Sequence, residues 1–285
     1  MKSGLDNSVL QYWETLVRDD DSMPSFEAAL SVAQDEYPAL DLSGTLSGID
    51  SMAHKLQKRF AADAPMLHKL RLLNHFFFNE LHFRGNVNDY YDADNSYLNK
   101  VIERRCGIPI TLAALYIEIG QQVGIPLQGL SFPGHYLVKL KLADGAIVID
   151  VFDGGRSLSR EDLEERLDPY LRKHGLTAND ALPAFLEAAS GRAMLARLLH
   201  NLKSIHVREG DQRRLLAVLN RLVVLLPDDL NERRDRGLCL AELGCVDVAL
   251  DDLVSYIDEQ PLADDAGAIR DRIDELRRQA GQPLH

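Results

Sequence analysis

The chain has 285 residues, of which 46% are hydrophobic and 27% charged, as in a globular protein that buries a full core. Its formal net charge of -12 argues against binding to nucleic acid or to an anionic membrane, because both carry negative charge. No apolar run approaches the roughly 20 residues that a membrane-spanning helix needs, and the first residues are not expected to form a secretory signal. The cysteines, Cys106, Cys239 and Cys245, are too sparse for a disulfide framework. We therefore expect a cytoplasmic protein.

The first hundred residues are predicted to be mostly helical. Apolar residues recur at helical spacing over residues 25–36, 49–62 and 65–83. Residues 85–95 (GNVNDYYDADN) are rich in turn-forming residues and are predicted to form a loop. A helix over residues 96–105 should follow this loop.

The periodicity then changes from helical to strand-like. Residues 110–123 are apolar on most sides and predict a buried helix, which a Gly-Ile-Pro sequence ends. Residues 127–132, 135–142 and 146–151 are short and rich in β-forming residues, and the turn-forming sequence Ala-Asp-Gly between the last two predicts an antiparallel hairpin. At Ser159 the sequence Ser-Arg-Glu-Asp has the capping-box pattern of another helix start.

The C-terminal third of the chain is predicted to be helical and repetitive. Gly210 and Gly244 are 34 residues apart. The same interval separates Pro227 from Pro261 and the two members of each of three pairs of aliphatic residues. This period is typical of the tetratricopeptide repeat, a helix-turn-helix unit. An ordinary helical bundle with coincidental spacing is the alternative, but five pairs at one offset favour the repeat. Residues 264–279 are predicted to form a capping helix.

Residues 106–150 contain the groups that cysteine-based catalysis needs. Cys106 precedes the buried helix, His135 opens one predicted strand and Asp150 closes the next. In such catalysis a thiolate attacks, a histidine takes its proton and a carboxylate orients the imidazole. Because adjacent antiparallel strands can bring His135 and Asp150 side by side, these three residues are the candidate catalytic residues.

Three segments carry a resemblance to a known family: RRCGIPITLAALYIEIGQQVGIP, FPGHYLVKL and VIDVFDGGRSLS. In them the chain resembles the bacterial SirB-type family, which joins a transglutaminase-like domain to C-terminal tetratricopeptide repeats. The resemblance implies an α+β, papain-like fold for residues 1–189, with a helical N-terminal part and a buried helix on a small antiparallel sheet. An all-α tetratricopeptide-repeat domain then follows over residues 190–285.

The resemblance transfers the catalytic residues only in part. True transglutaminases open the buried helix with Gly-x-Cys, whereas the aligned sequence here is Gly-Ile-Pro, which puts Pro109 at the position of the nucleophile. His135 and Asp150 match the family's histidine and aspartate, but Cys106 lies three residues upstream of the matching position. Three residues span about 4.5 Å along a helix or roughly 10 Å in an extended chain. A nucleophile needs its base at about 3 Å, so Cys106 reaches His135 only if the intervening turn folds back.

Two functions remain open. We favour a binding or scaffold protein, a pseudoenzyme whose repeats present a groove to a protein or peptide partner. In that case Cys106 is a packing residue and His135 with Asp150 is a structural hydrogen bond. Alternatively, the chain is a cysteine-dependent peptidase, amidase or acyltransferase that uses Cys106, His135 and Asp150. A weaker hypothesis is a regulator that binds a small ligand around His135. We expect no cofactor and no metal, and the sequence leaves the oligomeric state open.

Overall fold

A computed structural model gives the structure and describes residues 7–172 and 177–281. Residues 1–6, which were considered for a secretory signal, lie outside these ranges. In chain order, the helices are α1 (Asn7–Leu16), α2 (Ser25–Ser31), α3 (Leu42–Gln57), α4 (Met66–Asn74), α5 (Leu98–Arg104), α6 (Pro109–Gln122), α7 (Arg160–Leu171), α8 (Ala178–Phe185), α9 (Gly191–Glu209), α10 (Gln212–Leu225), α11 (Leu230–Glu242), α12 (Val246–Glu259) and α13 (Ala266–Ala280). The strands are β1 (Arg84–Gly85), β2 (Cys106–Gly107), β3 (Leu127–Phe132), β4 (His135–Leu142), β5 (Gly145–Asp150) and β6 (Arg156–Leu158). None of the helices in the described ranges combines the length and the apolar character needed to cross a membrane.

The chain divides into two compact units. One comprises residues 16–198 and contains the strands, and the other joins the N-terminal residues up to Thr15 to the chain from Leu199 onward. The sequence-based division at residue 189 kept the N-terminus with the first domain. In the structure, Trp13 is instead fully buried within the repeat unit, where its indole N–H donates to the Arg221 carbonyl at 3.1 Å. A single buried aromatic side chain thus explains the difference, because it anchors α1 to the repeats.

The strands β3 to β6 form an antiparallel sheet in simple chain order. Phe132 pairs with His135 across a tight turn, and Val138 pairs with Ile149 on the next strand. One face of this sheet, which includes Leu137, packs against leucines of α7 and α8. The hairpin predicted from the alternating β-forming residues is therefore confirmed.

Helix α6 is the predicted buried helix. Pro109 occupies its first position, where the missing N–H breaks no helical hydrogen bond. The Thr111 hydroxyl ties this end down by donating to the Asn95 carbonyl at 2.8 Å. At the other end Gly120 allows β3 to approach closely, because a Cβ there would lie 2.4 Å from a methyl group of Leu127. The arrangement of a buried helix on an antiparallel sheet confirms the predicted α+β class.

Helices α9 to α13 form the repetitive, all-helical part of the chain. Gly210 and Gly244 end α9 and α11 with positive φ angles of 70° and 74°, a conformation that glycine adopts without steric cost. Because these glycines mark the same turn in successive units, the predicted period corresponds to two helix-turn-helix units. Side chains of α11, α12 and α13, including Leu253 and Leu276, share one buried cluster. Helix α13 therefore closes the stack, as predicted.

Candidate functional site

The structure brings His135 and Asp150 into direct contact. His135 begins β4 and Asp150 ends β5, and the register of these two strands places the side chains beside each other. The distance between His135 Nε2 and Asp150 Oδ1 is 2.9 Å. Only 18% of the histidine side chain and 1% of the aspartate side chain are exposed. The second ring nitrogen, Nδ1, makes no hydrogen bond to any described residue and is left for another partner.

Asp150 accepts hydrogen bonds from three further donors. Arg166 on α7 contacts Asp150 Oδ2 at 2.8 Å, and the backbone N–H groups of Phe152 and Asp153 donate to Oδ1, both at 3.1 Å. Burial by itself would raise the pKa of Asp150, but the hydrogen bonds from His135, Arg166 and the backbone outweigh it and lower the pKa to about 2. Asp150 is therefore an anion at neutral pH and holds the imidazole in one orientation.

A cavity of about 470 Å³ opens over this pair of residues. Its lining residues are Val87, Pro133, Gly134, His135, Asp150, Phe152, Asp153, Arg166 and Tyr170. The Phe152 ring stands edge-on to the His135 ring at a centroid distance of 5.9 Å, and the Tyr90 ring stands edge-on to Phe152 at 6.1 Å. Tyr170 at the rim is 48% exposed. Such a cleft, with aromatic walls and a few convergent polar groups, is typical of a binding site.

Asn95 holds the predicted loop of residues 85–95 beside this cavity. Its side-chain amide donates to the carbonyl oxygens of Asp89 at 2.7 Å and Tyr90 at 3.3 Å. The Asn86 amide donates in turn to Asn95 Oδ1 at 3.0 Å. Because Asn95 is only 1% exposed, these hydrogen bonds are shielded from water, and they position Tyr90 against the aromatic wall.

Cys106 lies on a different element from the other two candidate residues. The strand β2 pairs in parallel with β1, with Cys106 opposite Arg84. The Arg84 N–H donates to the Arg105 carbonyl at 3.0 Å, and Arg105 adopts a φ of 55°, which is uncommon outside glycine. Among the described residues, Cys106 neither lines the cavity nor makes a hydrogen bond to His135. Ile108, which follows this strand, has an extended backbone with a φ of -98° and a ψ of 168°.

The β1–β2 ladder approaches the cavity through glycine. A Cβ on Gly85 would lie 2.8 Å from the Phe152 carbonyl oxygen, so the backbone of β1 packs directly on the residue that forms the wall of the cavity. Pro109, which the family resemblance aligns with the nucleophile, is buried at the start of α6. The structure therefore brings together His135, Asp150 and the cation of Arg166, and it holds Cys106 on the neighbouring ladder.

Sequence reasoning missed four side chains of this site: Tyr90, Phe152, Arg166 and Tyr170. Arg166 belongs to no motif and lies on a polar helix. A usable signal was its place beside Leu167, which is fully buried and marks the side of α7 that faces the sheet. The aromatic residues sit in loops or at a helix end, where periodicity carries no information.

The described residues contain no group of three or more His, Cys, Asp or Glu side chains that could hold a metal ion. In the cavity itself, His135 and Asp150 are joined by a hydrogen bond.

Two family models match the chain, one in the part that contains the sheet and one in the helical repeats. Residues 44–200 match the transglutaminase-like superfamily, and residues 202–274 match the tetratricopeptide repeat. A UPF0162 protein of Xylella fastidiosa (strain Temecula1) is 38% identical over 270 residues, which cover 94% of this chain and 95% of that protein. A UPF0162 protein of Vibrio cholerae is 27% identical over 276 residues, covering 94% and 97%. F-box only protein 21 of Homo sapiens is 34% identical over 181 residues, which cover 58% of this chain and 27% of the F-box protein. No solved structure matches the chain significantly.

Proposed function

The chain belongs to the transglutaminase-like superfamily, in the bacterial SirB-type (UPF0162) family, and on that premise we propose that it is a non-catalytic protein-binding module. Its transglutaminase-like unit keeps the cleft of a cysteine-dependent enzyme without a nucleophile in it. Its tetratricopeptide repeats bind a protein or peptide partner, as stacked helical repeats generally do. We place it in the reducing cytoplasm, where its three free cysteines remain thiols.

The observation that carries this proposal is the position of the only candidate nucleophile. A thiol must lie about 3 Å from the base that deprotonates it. Cys106 is part of a hydrogen-bonded ladder, and the position that faces the catalytic groups in the family is held by Pro109, which has no nucleophilic atom. The hydrogen bond from the Arg84 N–H to the Arg105 carbonyl, at 3.0 Å, helps to hold this ladder in place.

The retained cleft has a role in this proposal without catalysis. The His135 ring has one nitrogen available to a ligand, and Phe152 and Tyr170 supply apolar surface beside it. These features suit an extended peptide, whose amides hydrogen-bond the imidazole while a side chain contacts the aromatic wall. The buried Asp150 keeps the imidazole in place for that purpose.

One observation favours the alternative, a cysteine-dependent peptidase, amidase or acyltransferase that uses Cys106, His135 and Asp150. Asp150 engages His135 through Nε2 and leaves Nδ1 to act as a base, while Cys106 is partly exposed. In this alternative, β2 shifts when substrate binds, and the thiol then enters the cleft.

Alkylation of the cysteines with iodoacetamide, followed by mass spectrometry at several pH values, separates the two functions. We expect the rate at Cys106 to change by less than about twofold in a His135→Ala variant, because a thiol without a basic partner keeps its own reactivity. A fall of about tenfold or more at neutral pH would establish a thiol–imidazole pair and favour the enzyme.

Two internal controls make this experiment specific. Burial raises the pKa of Cys239 to about 11, so this thiol should react slowest in every variant. The His200→Ala variant removes a histidine that is also paired with a buried carboxylate, Glu232, in the repeat unit. It should leave the rate at Cys106 unchanged.

Peptide binding by the repeats can be tested with a random peptide display library selected on the full chain. For any enriched peptide, we expect hydrogen–deuterium exchange to show protection within residues 199–281, because the proposal places the partner there. Protection confined to residues 16–198 would contradict the assignment of binding to the repeats.

A further inference from the structure

A second cavity lies at the β3 edge of the sheet, apart from the cleft around His135. It has a volume of about 490 Å³ and lies between α2, the C-terminal half of α6, the edge strand β3 and residues 188–194. Its walls are divided evenly between polar and apolar surface, and the apolar part includes two methionines, Met23 and Met194, together with Ile117. This volume and this lining are those of a site for a small organic group.

Tyr136 presents a polar group to this cavity. The side chain is only 2% exposed, and its ring lies over Gly129, where a Cβ would be 2.2 Å from the phenolic oxygen. Tyr136 lines the cavity, and no hydrogen bond joins its hydroxyl to another described residue. The hydroxyl can therefore contact a ligand that enters the cavity. Burial raises the pKa of Tyr136 to about 12, and the phenol therefore stays neutral.

The charged side chains that line the cavity are two carboxylates, Glu27 and Glu118, of which Glu27 already takes part in another interaction. Glu118 lies on α6 and accepts a hydrogen bond from the neutral Gln122 amide at 2.7 Å. Arg197 stacks over the Tyr136 ring, but it is held by the Phe132 carbonyl at 2.8 Å and does not line the cavity. Because the hydrogen-bond partner of Glu118 is a neutral amide, its carboxylate can pair with a cationic ligand.

We propose that this cavity binds an aliphatic ammonium group. The ammonium contacts the Glu118 carboxylate, the Tyr136 hydroxyl accepts a further hydrogen bond from the ligand, and the hydrocarbon part packs against Met23 and Met194. A free alkylamine and the side chain of a lysine share this chemistry. The site is separate from the His135 cleft and does not depend on whether the repeats bind a partner.

Methionine methyl NMR tests this proposal on the full chain. With 13C-methyl methionine, Met23 and Met194 report on the cavity, whereas Met52 and Met66 do not line it and serve as references. We expect n-hexylamine to shift the first two resonances saturably and to leave the references in place. The neutral isostere 1-hexanol should bind about tenfold more weakly, because it lacks the charge-assisted hydrogen bond. Equal binding of both probes, or no saturable shift, overturns the proposal.

Three variants locate the interaction. Glu118→Gln and Tyr136→Phe each remove one polar group without changing the shape of the site, and each should weaken n-hexylamine binding, the former by about tenfold. Glu187→Gln removes the same charge from an exposed residue that does not line the cavity. If it weakens binding as much as Glu118→Gln does, the attraction is a general effect of net charge and the proposal fails.

A blocked lysine, N-acetyl-lysine methylamide, distinguishes the two sources of the ammonium group. Tighter binding of this compound than of n-hexylamine assigns the site to a lysine side chain of a protein. Tighter binding of n-hexylamine assigns it to a free amine. Both outcomes support the site, whereas failure of both compounds to shift Met23 and Met194 rejects it.

Discussion

Two regions of the molecule contain the same three kinds of side chain: a histidine, a buried carboxylate and a cation. They are the sheet cluster, consisting of His135, Asp150 and Arg166, and the repeat cluster, consisting of His200, Glu232 and Lys203. In both clusters the histidine nitrogen is 2.9 Å from the carboxylate oxygen. In both, burial opposes ionisation of the carboxylate, but its hydrogen bonds outweigh burial and lower the pKa of Asp150 and of Glu232.

The two clusters differ in what surrounds them. The repeat cluster links side chains of α9 and α11, and its lysine also contacts Asp235 at 2.7 Å, so each charge has more than one partner. His200 is 44% exposed and takes part in helix packing. The sheet cluster is anchored by backbone N–H groups and opens into a cavity with aromatic walls, where His135 is 18% exposed. The three side chains alone therefore do not mark a binding site, since the elements that bear them decide whether a ligand has access.

The largest expected effect comes from deleting the carboxylates. Asp150→Ala should lower the free energy of unfolding by about 3–5 kcal/mol, because it leaves the partly buried His135 and Arg166 without a counter-charge. Glu232→Ala should cost only about 1–3 kcal/mol, because Lys203 keeps its second carboxylate.

Separate probes can follow the two units during urea unfolding. Trp13, the single tryptophan, is buried in the repeat unit, and its fluorescence reports on that unit. Hydrogen exchange in β4 and β5 reports on the sheet. A larger loss in the free energy of unfolding for Glu232→Ala than for Asp150→Ala would contradict the expected greater dependence of the sheet cluster on its carboxylate.

The acid dependence of stability should be visible in the sheet cluster. The pKa of Asp150 is about 2 in the folded chain, against an ordinary value of 3.8. Because the folded pKa is the lower one, this group stabilises the fold above about pH 4, and the contribution of about 2 kcal/mol is lost as the pH falls toward 2. Asp150→Asn should abolish this part of the slope in urea titrations at a series of pH values. An unchanged slope would show that Asp150 is not the responsible group.

A smaller effect is expected from the close approach of β1 to the sheet cluster. In Gly85→Ala, the new Cβ would lie 2.6 Å from the Phe152 ring, and we expect a loss of about 1–2 kcal/mol through overpacking. Gly48→Ala on α3 is the matched control, because a Cβ there meets nothing within 4 Å. It should be neutral or stabilise the helix by up to about 1 kcal/mol. Thermal unfolding measures both, and equal effects would contradict the packing argument.

The smallest effects are expected from the histidines. His200→Ala should cost less than about 1 kcal/mol, because the imidazole is well exposed and Lys203 still pairs with Glu232. His135→Ala should cost about 1 kcal/mol, and it should also weaken any peptide that occupies the cavity. If His200→Ala weakened such a peptide equally, the repeat cluster would have the same functional status as the sheet cluster. Isothermal titration calorimetry with a selected peptide provides the measurement.

Much of the secondary structure followed from local patterns. The strands β3 and β4 have the predicted bounds, and α6 differs from its prediction by one residue at each end, because alternation and glycine–proline stops are local signals. The predicted capping box is present, with the Ser159 N–H donating to Asp162 at 2.8 Å. Helix α3 begins at Leu42, well before its predicted start at residue 49, because Asp41 caps a polar first turn that lacks apolar periodicity.

In residues 65–83, helical periodicity did not predict where the α-helix ends. It was predicted as one helix, but α4 ends at Asn74 and a π-helical segment, His75–Glu80, follows it. Three consecutive phenylalanines occupy this segment, and Phe77 is fully buried and stacks on Phe83 at 4.5 Å. The wider turn follows from packing of these rings, which a helical period cannot reveal.

Local patterns in the sequence were enough to predict the transglutaminase-like part followed by repeats, the buried helix on a small sheet and the hairpin strands that carry His135 and Asp150. All of these depend on periodicity or on neighbours in a hairpin. The contact of Arg166 with Asp150 and the place of Cys106 on the β1–β2 ladder became visible in the tertiary structure. These contacts join segments that are distant in the chain, and a ladder of two residues is too short to leave a pattern in the sequence.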